Sequence, residues 1–181
     1  TGANRWSWNM MVGRYACLEA LDPVTGSLSV YKAAPGNYSV TLKVGDFETS
    51  RNFEILIDPR LTGTHAENLK QYQDMDRLNK SLYAIATEMA DGVLQLKSAQ
   101  KQLDIIRDLK PSEQILVKAD ALEGVTNLWI SKIIQEGFRT SQNLYQMEAK
   151  FLMEVRSLIN RMGGSDVPVS QGAREVAQRY L

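Results

Sequence analysis

The spacing of apolar and polar residues changes once along this chain. Before about residue 61, in residues 4–10 and again in residues 38–57, the two kinds alternate with a period of about two, which is typical of strands with one buried and one wet face. Residues 13–29 between them have no clean period. Beyond about residue 61 apolar residues recur with a period near 3.6, which predicts helices. We therefore predict an α+β chain of two modules: an N-terminal Ig-like antiparallel β-sandwich over residues 1–61, followed by an antiparallel helical bundle of three to four helices over residues 65–181.

The clearest local element is a β-hairpin between residues 34 and 60. It opens at the turn dipeptide Pro35-Gly36, after which every second residue from Tyr38 to Val44 is apolar. Gly45-Asp46 predicts the reversal, and a second alternating run includes Phe53 to Ile57. This hairpin is the element around which we expect the β-module to be organised.

Residues 4–10 show the same alternation, which predicts a further strand with the first two tryptophans on its apolar face. With a short strand at Val30-Tyr31 the module holds about four strands, fewer than the roughly seven of a closed Ig sandwich, so we expect further strands upstream. Tryptophans at strand spacing usually pack in a core. The alternative is an aromatic face that binds carbohydrate or peptide, formed by Trp6, Trp8, Tyr31 and Tyr38.

A long helix is predicted from about Glu67, after the linker Thr62-Gly63-Thr64. Its apolar residues recur every seven positions in two series, which is the a/d pattern of coiled-coil-like packing. The first series is Met75, Leu82, Met89, Leu96 and Leu103, and the second is Leu78, Ile85, Gly92, Ala99 and Ile106. Because Gly92 and Ala99 leave room for a close neighbour, we predict bundle packing along this seam and self-association of the chain through its helices.

Three more helices follow from the remaining pattern. Lys110-Pro111-Ser112 ends the first helix, and Ser112 is a candidate N-cap for the second. The second helix has an apolar stripe of Leu116, Ala119, Leu122, Val125 and Trp129. A third helix is predicted from Thr140-Ser141 to Gly163-Gly164, and Ser170 is a candidate cap for a fourth. Short connections predict antiparallel neighbours.

Charge and composition narrow the classes of partner. Lysine plus arginine and aspartate plus glutamate number 21 each, so no whole-chain field attracts nucleic acid, and we predict no nucleic-acid partner. No apolar run approaches the about 18 residues that span a bilayer, so we predict no membrane span. One cysteine and one histidine leave no internal disulfide and few metal ligands, and we predict no cofactor.

No specific catalytic motif occurs in the sequence: G-x-S-x-G, H-E-x-x-H, the P-loop and G-x-G-x-x-G are all absent. Cys17 and His65 could form a nucleophile and base only across two predicted modules. Carboxylates such as Asp74 and Asp76 fit a solvated helix face. Asn79-Lys80-Ser81 matches a glycosylation triplet, but lies in the middle of a predicted helix and is discounted. We therefore predict that the chain is not an enzyme.

Three short motifs resemble those of a known family. They are Gly2-Ala3-Asn4-Arg5-Trp6 through Trp8-Asn9-Met10, then Ala34-Pro35-Gly36-Asn37-Tyr38-Ser39-Val40, then Ile57-Asp58-Pro59-Arg60. With the long polar helix that follows, they resemble the C-terminal region of sortilin-type BNR-repeat β-propeller proteins, a group labelled glycosyl hydrolases. In that family a small β-sandwich and a helical segment follow the propeller.

The resemblance has implications for function, partner and location. It implies a non-catalytic accessory or scaffold region of a larger protein, which acts in interdomain packing or protein–protein interaction. The implied partner is the protein's own β-propeller, N-terminal to Thr1. The implied location is periplasmic or secreted. No functional residue of a propeller transfers to this chain.

Overall fold

The structure, a computed structural model, describes residues 2, 4–12, 21, 31–137, 140, 142, 146–163 and 168–181. Within them lie four strands and four helices. The strands are β1 (Met11–Val12), β2 (Tyr31–Lys32), β3 (Gly36–Val44) and β4 (Phe47–Ile55). The helices are α1 (His65–Asp108), α2 (Glu113–Ile133), α3 (Phe151–Gly163) and α4 (Gln171–Tyr180). The described chain is α+β and mostly helical.

The strands form two separate antiparallel sheets of two strands each, β1 with β2 and β3 with β4. The predicted Ig-like β-sandwich is therefore wrong: no second sheet layer covers β3 and β4 in the described chain. The predicted strand at residues 4–10 is also absent, since residues 4–9 have no strand structure. Alternation in the sequence indicates that one face of a strand is apolar, but it does not supply the strands that would cover it.

The β3–β4 hairpin itself has the predicted reversal. Its strands pair over their full length, from Gly36 opposite Ile55 to Val44 opposite Phe47. The two-residue turn between them places Gly45 at φ 56°, a conformation that glycine adopts without strain. The predicted hairpin and its turn are thus confirmed, although the sandwich around them is not.

Helix α1 is the longest element, with 44 residues and a length of about 66 Å. Thr64 is its N-cap: the Glu67 backbone N–H donates to Thr64 Oγ1, and the Glu67 carboxylate accepts from the Thr64 backbone N–H at 2.8 Å. This reciprocal capping box satisfies amide groups that the first turn leaves unpaired. The predicted long helix is confirmed, with its first residue at His65.

The later helices follow the predicted order with different bounds. Helix α3 begins at Phe151 rather than near Thr140, so that predicted start is wrong. Ser170 caps α4 as predicted, because its Oγ accepts the Ala173 backbone N–H at 3.2 Å. Arg174 of α4 reaches Asp74 of α1 at 4.0 Å, which places α4 beside the N-terminal half of α1.

The hydrophobic core lies where α1 meets α3, α4 and the end of α2, with Leu82, Ile130 and Ile159 almost fully buried. The first predicted seam of α1 faces this core. Of the second, only Leu78 packs against the core. Residues one position later are buried instead, namely Tyr72, Asn79, Ala86 and Val93. A heptad stripe drifts around a straight helix by about 20° per repeat, so neighbouring helices decide which flank of the stripe is covered.

The β1–β2 ribbon packs on the helices rather than on the β3–β4 hairpin. Tyr31 is only 4% exposed, and its ring lies 5.5 Å from that of Tyr83 in α1. Gly163 at the end of α3 lies so close that an added Cβ would be 2.4 Å from the Tyr31 Cβ. Tyr31 therefore belongs to the helical core, across the boundary that the change of period predicts near residue 61.

Candidate functional site

The four aromatic residues predicted as a binding face do not form one surface. Trp6 is 74% exposed, whereas Tyr31 is buried in the helical core. Trp8 and Tyr38 do meet, with ring centroids 5.9 Å apart, and both pack on Phe53. The structure thus brings Trp8 and Tyr38 together with Phe53, which the pattern had placed only in a strand. Of the four predicted residues, Trp6 alone is largely exposed to solvent.

The Trp8–Tyr38–Phe53 cluster covers only the base of the β3–β4 hairpin. On that side of the sheet the remaining positions also include Thr49 and Arg51, which lie opposite Leu42 and Val40. The four apolar residues there, named here the hairpin face, are Val40, Leu42, Val44 and Phe47. Each of them is exposed, and Val44 and Phe47 at the tip are the most open. The opposite side is polar, with the Thr41 and Ser50 hydroxyls 2.8 Å apart and Lys43 paired with Glu48 at 3.0 Å. No described residue covers the hairpin face.

A second open surface runs along the helices. It is a groove between α1 and α2, named here the α1–α2 groove, and its lining includes Tyr83, Ala84, Glu88, Gly92, Ala99, Trp129 and Ile133. The sequence predicts a close neighbour over Gly92. In the structure a Cβ placed on Gly92 would meet no atom within 4 Å. The space left by this glycine is therefore not filled by the described part of the chain.

Helix α2 contributes Trp129 and Ile133 to the groove, and its exposed apolar side chains continue beyond the groove. Leu122, Val125 and Trp129 were predicted as a packing stripe, yet each is about half exposed. The buried residues are instead Ala119, Thr126, Ile130 and Ile133, so only Ala119 of the predicted stripe is buried. Because α2 is apolar around much of its circumference, periodicity could not select the covered face.

Polar bonds hold α1 and α2 together beside these apolar residues. The Gln100 amide donates to Asn127 Oδ1 at 2.7 Å. The Arg107 guanidinium donates to Asp120 at 2.8 Å and also to Glu123, and these bonds raise the pKa of Arg107. The two helices are therefore fixed in an antiparallel register, with apolar side chains left on their open side.

The tyrosines that join the ribbon to α1 have perturbed acidity. Burial raises the pKa of Tyr31 to about 12, and the nearby Asp76 carboxylate adds to the shift. Burial also raises the pKa of Tyr83 to about 12, with a smaller contribution from Tyr31. Both phenols are therefore protonated at neutral pH, and neither is a candidate general base.

Asn68, Asn79 and Thr126 are buried polar side chains among the described residues, and the apolar pattern predicts burial for none of them. Asn79 is fully buried, and neither its amide nitrogen nor its oxygen has a hydrogen-bond partner in the described structure. A buried amide without partners usually costs free energy. The signal was present in the sequence, since a polar residue beside a heptad seam is a position to examine for burial.

Few of the described side chains are candidates for catalysis or metal binding. Cys17 lies outside the described residues, so its predicted pairing with His65 is not addressed. His65 is exposed at the first position of α1. Within the described ranges no group of three or more histidine, cysteine or carboxylate side chains could hold a metal ion. The helices described here include none with both the length and the apolar character needed to cross a membrane.

Comparisons of the chain with protein families, with curated proteins and with solved structures found no match. A functional proposal therefore depends on the two open apolar surfaces, the hairpin face and the α1–α2 groove.

Proposed function

We propose that this chain is a non-catalytic accessory module that joins protein surfaces. The observation that supports the proposal is that each half of the molecule leaves apolar side chains exposed on one face. Exposed apolar patches with polar rims are typical of protein interaction sites. The hairpin face and the α1–α2 groove both fit this description.

The hairpin face fits a role in interdomain packing. An isolated two-stranded hairpin is at best marginally stable in water, and its apolar face gains stability only when another layer covers it. We propose that a neighbouring domain of the same protein covers Val40, Leu42, Val44 and Phe47. The sequence motifs favour a β-propeller N-terminal to this chain as that domain, in a periplasmic or secreted protein.

The α1–α2 groove fits a role in self-association through the helices. Its side chains include Gly92 and Ala99, which allow close approach, and Trp129, a residue type enriched in the energetic centres of interfaces. The supporting feature is that the rim of α2 is apolar over the length that borders the groove.

Sedimentation equilibrium on a matched pair of variants tests the proposal. Trp129 and Leu128 are each 56% exposed, but only Trp129 lines the groove. We expect Trp129→Lys to weaken self-association at least about tenfold and Leu128→Lys to leave it unchanged. Equal behaviour of the two variants, or a wild-type chain that is strictly monomeric at about 100 μM, would contradict a role for the groove.

A further inference from the structure

The α1–α2 groove and the apolar rim of α2 have matching spacings. Trp129 and Ala99 lie at the same level, because both line the groove and the adjacent Gln100 bonds to Asn127. Leu122 precedes Trp129 by one heptad, and Gly92 precedes Ala99 by one heptad. Since the helices are antiparallel, Leu122 and Gly92 lie in opposite directions from that common level.

Lys118 and Glu88 are placed in the same way as Leu122 and Gly92, at equal distances from the common level. Lys118 lies eleven residues before Trp129, and Glu88 lies eleven residues before Ala99. Both side chains are exposed, and neither forms an ion pair within the described part of the chain. A two-fold rotation about the Trp129–Ala99 level brings Lys118 of one copy beside Glu88 of the other, and Leu122 of one copy over Gly92 of the other.

We infer that a second copy of this chain fills the α1–α2 groove, with its α2 lying in the groove of the first copy and the reverse, around a two-fold axis near Trp129. This inference rests on the proposed self-association and specifies its partner and register. A large side chain meets a glycine and a lysine meets a glutamate on each side of the axis. The product is a four-helix bundle in which α2 of one copy runs parallel to α1 of the other, and the two-fold axis makes each contact occur twice.

The length of the α1–α2 groove agrees with a second copy of α2 as its occupant. At 1.5 Å per residue, the groove from Lys80 to Ala99 is about 28 Å long, and the 21 residues of α2 extend about 32 Å. The α2 helix of a second copy is therefore long enough to occupy the whole groove.

Gly92→Leu tests the steric part of the pairing. A leucine at this position meets open space in one copy, but it occupies the place of Leu122 in the pair. We expect the variant to retain its helix content and its dimer Kd to rise at least about 100-fold, because overpacking prevents close approach. Gly124→Leu is the matched control: it also replaces a helical glycine with open space around it, but outside the groove, and should dimerise like the wild type.

Charge reversal tests the register. Glu88→Lys alone and Lys118→Glu alone place like charges together, and each should weaken the dimer about tenfold at low salt. The double variant exchanges the two charges and should recover most of the wild-type affinity. Lys101→Glu, on an exposed part of α1 outside the groove, should have no effect. Since both reversed side chains are exposed, this series remains informative even if Gly92→Leu fails to fold.

The outcomes separate this inference from the proposed function. A dimer that survives Gly92→Leu, a double reversal no tighter than the single variants, or an assembly that grows beyond a dimer would overturn the two-fold pairing and leave self-association in place. A strictly monomeric wild-type chain at about 100 μM would overturn both.

Discussion

The helical half and the β3–β4 hairpin are both built from antiparallel neighbours, yet they differ in how far their apolar side chains are buried. In the helical half, Leu82, Val93 and Ile159 are buried between several helices. In the hairpin, the corresponding apolar residues, such as Leu42 and Val44, remain exposed on a two-stranded sheet. The helical half therefore carries its own core, whereas the hairpin depends on a surface from elsewhere.

The difference extends to the backbone. Helices satisfy their amide groups internally, so α1 and α2 can present a preformed groove with no unpaired edge. Each strand of a two-stranded hairpin has one unpaired edge, and its stability rises when a further strand or layer is added. We expect the α1–α2 groove to bind as a rigid surface and the hairpin face to become ordered further when it is covered.

Matched leucine truncations should show the largest contrast between the two regions. Leu82 is 0% exposed and Leu42 is 55% exposed. We expect Leu82→Ala to lower the free energy of unfolding by about 3 kcal/mol, because it removes buried surface and leaves a cavity. Leu42→Ala should cost less than about 1 kcal/mol. Urea unfolding followed by far-UV circular dichroism measures both, and equal losses would show that the hairpin face is buried in solution.

A substitution at Asn79, in the helical half, should raise rather than lower the free energy of unfolding. Replacing its unpaired buried amide by an apolar side chain of similar size should raise the free energy of unfolding by about 1–2 kcal/mol. Asn160→Leu, at an exposed position of α3, is the control and should change stability little. A destabilised Asn79→Leu variant would contradict this account and would indicate that the amide has a partner in solution.

The buried tyrosines Tyr31 and Tyr83 add a dependence of stability on alkaline pH. The pKa values of Tyr31 and Tyr83 are raised from 10.0 to about 12. Between these values the unfolded chain releases phenolic protons that the folded chain retains, so stability is complete below pH 10 and falls as the pH rises toward 12.

The tyrosine dependence can be measured as the shift of the urea midpoint between about pH 9 and about pH 11. Replacing Tyr31 and Tyr83 by phenylalanine should reduce this shift. An unchanged shift in the double variant would mean that other groups cause the alkaline loss.

Parts of the candidate site could be found in the sequence. The heptad series indicated a long helix, and Gly92 and Ala99 marked a place where a neighbour could approach closely. The groove lies there, but the structure shows it open along the described chain. The exposed flank of α2 was not predictable, because a helix that is apolar on several sides gives no periodic signal for one face.

Features that depend on neighbouring residues could be predicted from the sequence. Turn residues such as Gly45 act within a few residues of the chain, so local sequence was enough to specify the β3–β4 hairpin and its reversal. The cap Ser170 was likewise predicted, whereas Thr64 was placed in a linker. Both side chains bond to amides three residues away.

Which surfaces are covered was decided only by the tertiary structure. Tyr31 is distant in sequence from Tyr83 and Gly163, yet it packs against both, and Leu42 alternates like a core residue yet remains exposed. The physical reason is that periodicity reports an apolar face of one element, whereas burial requires a second element to meet it. That second element comes from long-range packing or from another protein surface, and local residue order encodes neither.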